Sequence, residues 1–244
     1  MRLNKFISNS GYCSRRKADE LIKSNKVYVN GEIIDNIGYD VTNDDYVKVN
    51  GKLIRNSSGN VYFVLNKPVG YLSSNYDRHH DKLAVDLINY KEKLNYVGRL
   101  DIDSEGLLIF TNDGKFTNIM THPSFEINKK YIVYIDGYVS DDIIKQIENG
   151  VELSDGLTKS CKIKVKDRNK YQSRIEIEIS EGKNRQIRRM FKHFDFKVKR
   201  LVRISHGEIK LGELQKGQYR QFDKNEVEYV KELIKSHENT RKKS

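Results

Sequence analysis

The sequence predicts an α+β protein: a small helix–helix–hairpin unit, then a larger domain whose mixed, mainly antiparallel sheet is flanked by helices. Three observations carry this. Val27 and Val29 lead into Asn30-Gly31, and Val47 and Val49 into Asn50-Gly51, two copies of a hairpin signal close to the N-terminus. Farther on, Ile175, Ile177 and Ile179 alternate with Arg174, Glu176 and Glu178, the period of a strand with one wetter face. Ile187, Met190, Phe191 and Phe194 recur at the i, i+3, i+4, i+7 spacing of a helix over residues 185–194.

In chain order, Leu3, Phe6 and Ile7 have the spacing of a short amphipathic helix, which Gly11 ends. Ser14 is a candidate N-cap for a second helix with the stripe Ala18, Leu21 and Ile22. After the two hairpins, residues 55–60 (RNSSGN) read as a linker, giving units over 1–57 and 60–235 and a frayed basic tail over 236–244. Val61 to Leu65 reads as a strand stopped by Pro68 and Gly70, with Lys67 near its exposed end. Residues 75–82 form a polar loop. Its His79 and His80 are neighbours with no third ligand in view and are expected in solvent, so no metal is assigned.

Residues 98–114, GRLDIDSEGLLIFTNDG, are the centre of the larger domain. Leu107 to Phe110 is an apolar run of buried-strand length, closed by the turn residues Asn112, Asp113 and Gly114. An acidic loop, Asp101 to Gly106, precedes it, entered through Gly98 and the cation Arg99. A carboxylate on such a loop, beside a fixed cation, can act as a nucleophile; it can also simply cap a turn. Asp101, Asp103 and Glu105 imitate half of a calcium loop, but Asn112 stands where a bidentate Glu belongs. A polar connection then leads to a strand with Tyr131, Val133 and Ile135 on one face and Ile132 and Tyr134 on the other, both expected buried. Residues 141–149 form a short helix striped by Ile143, Ile144 and Ile147, residues 162–165 a strand, and Val227, Val230, Leu233 and Ile234 stripe the last helix.

The chain of 244 residues carries 45 Lys and Arg against 34 Asp and Glu, a net +11, which calls for a polyanionic partner. Residues 181–203 alone hold nine basic and two acidic residues, with Arg185, Arg189 and Lys192 on one helix face and Arg188 beside them, a phosphate-binding composition. No apolar run approaches the roughly 20 residues of a membrane span, and no signal peptide is apparent. Cys13 and Cys161 match no ligand spacing and read as reduced thiols, as expected of a cytoplasmic protein. Nucleotide-cofactor patterns are missing, so no cofactor is expected.

GRLDIDSEGLLIFTNDG resembles the active-site motif of the RsuA/RluB/RluF family of ribosomal RNA pseudouridine synthases, with Ser104 where the family more often has Thr. RLNKFISNSGYCSRRKADELIKSNKVYVNG resembles the S4 RNA-binding domain that precedes such enzymes, and EGKNRQIRRM resembles the family's third motif. The resemblance covers the chain from Arg2 to about Val230 and is greatest to the RluB type, then RluF, then the small-subunit RsuA type.

The resemblance implies a pseudouridine synthase fold with a central RNA-binding cleft, and isomerisation of uridine in rRNA, 23S before 16S. It assigns catalysis to Asp101, base stacking and a part in proton transfer to Tyr131, and the paired cation to Arg185, or else Lys183. Arg99, Leu100, Ile187 and Leu201 fall at supporting positions. Lys5, Arg15, Arg16, Lys17, Lys26, Lys67, Lys130, Arg188, Arg189 and Lys192 become candidate RNA contacts, with Lys67 alternatively holding its own loop. A monomer acting on 23S rRNA or a subunit precursor, without a membrane, is expected. The other classes left open are a non-catalytic ribosome-assembly factor and a DNA-binding regulator, which leaves the downstream residues unexplained.

Overall fold

The computed structural model describes residues 1–42, 44–55 and 59–241, the side chains of residues 240 and 241 aside. The chain forms two compact units, one of residues 1–60 with 90–93, the other of residues 61–89 and from 94 onward. Residues 56–58 of the expected linker lie outside the described residues.

In the first unit, α1 (Leu3–Asn9) and α2 (Arg15–Lys23) pack on the strands β1 (Val27–Val29), β2 (Glu32–Ile33), β3 (Val47–Val49) and β4 (Lys52–Ile54), ordered β2-β1-β3-β4 and antiparallel throughout. The Ser14 hydroxyl accepts from Lys17 N, which satisfies one of the free N–H groups that open α2. Asn30-Gly31 and Asn50-Gly51 close the hairpins with all four residues at positive φ, the condition for a tight turn that follows strand twist. Leu3, Phe6, Ile7, Ala18 and Ile22 meet the inward valines of β1 and β3 in one buried cluster.

The second unit is built on β5 (Tyr62–Lys67), β6 (Asn95–Val97), β7 (Glu105–Thr111), α3 (Gly114–Thr121), β8 (Lys129–Asp136), α4 (Asp141–Asn149), the two-residue strands β9 (Glu152–Leu153) and β10 (Gly156–Leu157), β11 (Lys162–Arg168), β12 (Gln172–Ile179), α5 (Gln186–His193), β13 (Val198–His206), β14 (Ile209–Lys210), β15 (Tyr219–Gln221) and α6 (Lys224–Arg241). Its main sheet runs β11-β12-β8-β13-β7-β5-β15, with β14 beside β13 and β6 beside β7. Among the described strands only β13 and β7 pair in parallel, so the sheet is mixed and mainly antiparallel as predicted. Every residue of β7 is buried, as its apolar run requires.

The structure corrects three expectations here. Asp113 does not merely close a turn: its Oδ1 accepts from Lys115 N (2.8 Å) and Phe116 N (3.1 Å) and starts α3, which buries Phe116, Ile119 and Met120. Tyr131, Val133 and Ile135 are buried, but Ile132 and Tyr134 are only half-buried, and Arg200 stacks over the Tyr134 ring at 5.1 Å. Residues 236–241 are not a frayed tail but the end of α6. Lys115 pairs with Glu238 at 2.9 Å and the rings of Phe125 and His237 meet edge to face, which ties that end down.

Candidate active site

Two partners share one flank of β7 in succession. β6 pairs with its later half, Val97 opposite Ile109, and β13 with its start, Val202 opposite Glu105 and Arg203 opposite Gly106. Residues 98–104 loop out where β6 gives way to β13. The close approach at that point needs Gly106, with φ +103 and no Cβ to meet the Arg203 backbone.

Five consecutive carbonyls pin the loop. Arg99 O accepts from Arg203 Nη1 (3.4 Å), Leu100 O from Ser73 Oγ (2.9 Å), Asp101 O from Ser104 N (3.0 Å), Ile102 O from Gly70 N (2.8 Å) and Asp103 O from Arg188 Nη2 (2.8 Å). Ser73 Oγ also accepts from Leu100 N at 3.1 Å. A backbone so fully bonded presents its side chains at fixed positions, which is what preorganisation demands.

Asp101 is partly exposed, and Arg185 Nη1 stands 3.7 Å from its Oδ2. Arg185 makes its two short hydrogen bonds to Asp103 instead, Nη1 to Oδ1 and Nη2 to Oδ2, both 2.9 Å. Those bonds hold the Asp103 carboxyl below the usual carboxylate range, against the opposing effect of its burial. Of the two cations the sequence offers, Arg185 is the one beside Asp101. Lys183 Nζ is turned to the tip of the β9–β10 hairpin, donating to Asp155 O (2.6 Å) and Gly156 O (3.1 Å).

Beneath the loop, Ile177, Tyr131, Arg203, Gly106 and Lys67 form one register row across β12, β8, β13, β7 and β5. Residues aligned in this way share a face of the sheet. Tyr131 is thus two strands from the loop on the side that carries Arg203 and Lys67, and is 8% exposed. Arg203 is buried, its Nε donating to Leu107 O at 2.7 Å. Leu100, Ile187 and Leu201 are buried, and Arg99 is exposed.

Lys67 is not near an exposed end but fully buried, its Nζ donating to Pro68 O (2.9 Å) and Tyr71 O (2.8 Å), so of its two expected roles it fills the one of holding the turn after β5 and not that of an RNA contact. Arg188 is likewise mostly buried, with Nη1 on Val198 O at 3.0 Å and Nη2 on the loop, and burial lowers its pKa. Arg189 is held bidentately by Asp155 at 2.8 and 2.9 Å, and Lys130 by Glu178 at 3.0 Å. Much of the charge in residues 181–203 is thus engaged within the protein; Lys192 lies exposed. Arg15, Arg16, Lys17 and Lys26 are exposed in the first unit, with Lys17 paired to Glu20, and Lys5 is half-buried. The acidic trio separates: Glu105 is buried and paired with Arg200 and with Lys216 (2.7 Å), away from Asp101 and Asp103. No cluster that could hold a metal ion occurs among the described residues, and none of their helices is long and apolar enough to cross a membrane. His79 and His80 are exposed, and both cysteines are free.

Burial pushes the Lys67 ammonium down to about 8 from its ordinary 10.5, against the pull of Asp101, Asp103 and Glu105. The unfolded chain therefore binds the proton more tightly, and between pH 8 and 10.5 this site makes stability rise with pH. Below pH 8 the cost of burying the charge is fully present. Lys67→Met has no such cost, so the denaturant midpoint of the wild type should gain on that of Lys67→Met as pH rises from 8 to 10. Lys129, also depressed to about 8, is common to both proteins and cancels. A difference that does not change with pH would refute a charged, buried Lys67.

Asp103, Ser73 and Arg203 were not singled out as site residues. Asp103 had a visible signal, an acid two residues beyond Asp101; Arg203 looked like one more surface cation, and a serine beyond a Lys-Pro turn has no distinguishing pattern.

The RNA pseudouridylate synthase family matches residues 61–193, and the S4 domain family residues 1–45. The ribosomal large subunit pseudouridine synthase B of Bacillus subtilis is 38% identical over 235 residues, 95% of this chain and 96% of that protein. The dual-specificity RNA pseudouridine synthase RluF of Escherichia coli O6:H1 is 38% identical over 238 residues, 97% of this chain and 80% of its own. A crystal structure of a pseudouridylate synthase superposes with a TM-score of 0.68 at 30% identity, covering 94% of this chain and 99% of that one.

Proposed function

The chain belongs to the RNA pseudouridylate synthase family and begins with an S4 domain, and from that premise we propose that it isomerises uridine to pseudouridine in 23S rRNA. The observation that carries the chemistry is Asp101: a partly exposed carboxylate on a loop with five pinned carbonyls, beside a guanidinium.

In this reading the C1′–N1 bond breaks, the uracil turns, and a C1′–C5 bond forms. The C5 proton goes to solvent and N1 gains one, so atoms balance without an outside reactant. Asp101 either attacks C1′, forming an ester that breaks as the C1′–C5 bond forms, or removes a proton from the neighbouring ribose carbon and returns it at that step. The uridine leaves its stack to reach the carboxylate. Tyr131 stacks on the extruded base, offsetting about 1–3 kcal/mol of the unstacking cost. Arg185 supplies the positive charge at Asp101, and Ile187, Leu201 and Leu100 form the apolar wall. The exposed Arg15, Arg16, Lys17 and Lys26, with Lys5, grip phosphates from the first unit, and Lys192 from the second. The enzyme works as a monomer in the cytoplasm. The choice of 23S rests on the likeness, over nearly both full lengths, to a relative named for the large subunit.

The test is incubation with unmodified 23S and 16S rRNA and with subunit precursors, followed by carbodiimide-dependent primer extension. One new stop in 23S is expected. A stop in 16S alone would overturn the 23S reading, and binding without any stop would favour a non-catalytic assembly factor.

A further inference from the structure

We propose that Asp103 is a positioning residue: it takes the two-pronged hydrogen bond of Arg185, so that Asp101 has the guanidinium's charge beside it without being locked in its grip. This rests on reading Asp101 as the reacting carboxylate.

Both short bonds from Arg185, each 2.9 Å, go to Asp103, while the approach to Asp101 is 3.7 Å, beyond hydrogen-bond range. The distinction matters because a carboxylate held bidentately by arginine has its lone pairs engaged in strong, charge-assisted bonds. A nucleophile or base needs those lone pairs free. At 3.7 Å the guanidinium still attracts the carboxylate, since Coulomb energy falls only as the inverse of distance.

Asp103 is itself held. Arg188 Nη2 bonds its backbone carbonyl at 2.8 Å, Arg188 Nε stands 3.4 Å from its Oδ2, and Arg188 Nη1 is fastened to Val198 O at 3.0 Å. Arg185 sits just before α5 with φ 48, in the left-handed region that costs a non-glycine residue about 1 kcal/mol or more. Such a conformation persists where surrounding contacts demand it, and the side-chain hydrogen bonds of Arg185 both go to Asp103. The chain of contacts thus runs from the start of β13 through Arg188 and Asp103 to Arg185, and stops short of Asp101.

In Asp103→Asn the guanidinium is free to close on Asp101. The single-turnover rate should fall about 10-fold with RNA affinity held or raised, and Asp103→Glu should recover most of the rate. If Asp103 acts through Arg185, Asp103→Asn should cost nothing further in an Arg185→Ala background. Independently of activity, the Nη protons of Arg185, slowed by the bidentate pair, should give separate NMR resonances in the wild type, shift in Asp103→Asn as the guanidinium passes to Asp101, and merge only when Asp101→Asn is added. An equal loss in both backgrounds, no loss at all, or unchanged resonances would overturn the proposal. A wild type that makes no pseudouridine from any RNA would instead fail the reading of the function, and the resonances alone would then decide whether Asp103 holds Arg185.

Discussion

Asp101→Asn is expected to lower the rate of pseudouridine formation at least about 10⁴-fold while leaving the protein folded and bound to RNA. The amide keeps the shape of the carboxylate but can neither attack C1′ nor take a proton from the neighbouring ribose carbon, so both chemical routes close together. Folding should be spared because the Asp101 side chain is partly exposed and makes no short bond; the loop is fastened through backbone carbonyls that the substitution leaves in place. RNA affinity should hold or rise, since one negative charge leaves a surface that faces phosphates. Single-turnover conversion of the mapped uridine, with binding measured in parallel by gel shift, checks both halves. A variant within 10-fold of wild type would remove Asp101 from the chemistry.

Gly106→Ala should be the most damaging single methyl group in the second unit. Its Cβ would run into Arg203 O and lie 2.8 Å from Arg203 N, and the residue sits at φ +103, which a side chain resists. Both obstacles are backbone, so no rotamer change relieves them. Either β13 moves off β7, taking with it the Arg203 bonds to Arg99 O and Leu107 O, or β7 changes its backbone path at the foot of the loop. A cost of about 4 kcal/mol or more follows, and a melting temperature lower by about 10 °C in a chain of this size. Gly114→Ala, where the added Cβ meets nothing within 4 Å, is the control. Equal melting temperatures for the two variants would refute the close approach.

How far the residues alone foretell this molecule can be seen from which ones they misplace. The hairpins, the Ser14 cap and the apolar stripes were legible because each rests on residues close in sequence. The buried β7 was legible for the same reason. Asp101 was marked out as the candidate carboxylate by the resemblance of its motif. α3 was legible too and passed over: Asp113 as a cap and the spacing of Phe116, Ile119 and Met120 state it, but the turn chemistry of Asn112-Asp113-Gly114 reads equally well as an ending. Lys67, Arg188 and Arg203 could not be placed. A lysine or arginine looks the same in sequence whether it faces water or a carbonyl, and what turns these inward is backbone brought from strands far along the chain. The division of labour between Asp101 and Asp103 belongs to the same class, since it depends on where the Arg185 guanidinium lies in space.

The parallel pairing of β7 with β13 also fixes when the active loop comes into being. Arg188 reaches Asp103 across 85 residues of chain and Arg203 reaches Arg99 across 104, whereas in the first unit β1 and β3 join residues about 20 apart and the hairpins residues closer still. Contacts that close long loops bear the larger entropic cost and form late. Synthesis runs from the N-terminus, so the first unit has its strands well before Arg188 and Arg203 exist to fasten residues 99–103. A nascent chain acquires its means of holding on long before its means of reacting, and competence for chemistry is the last property that folding confers.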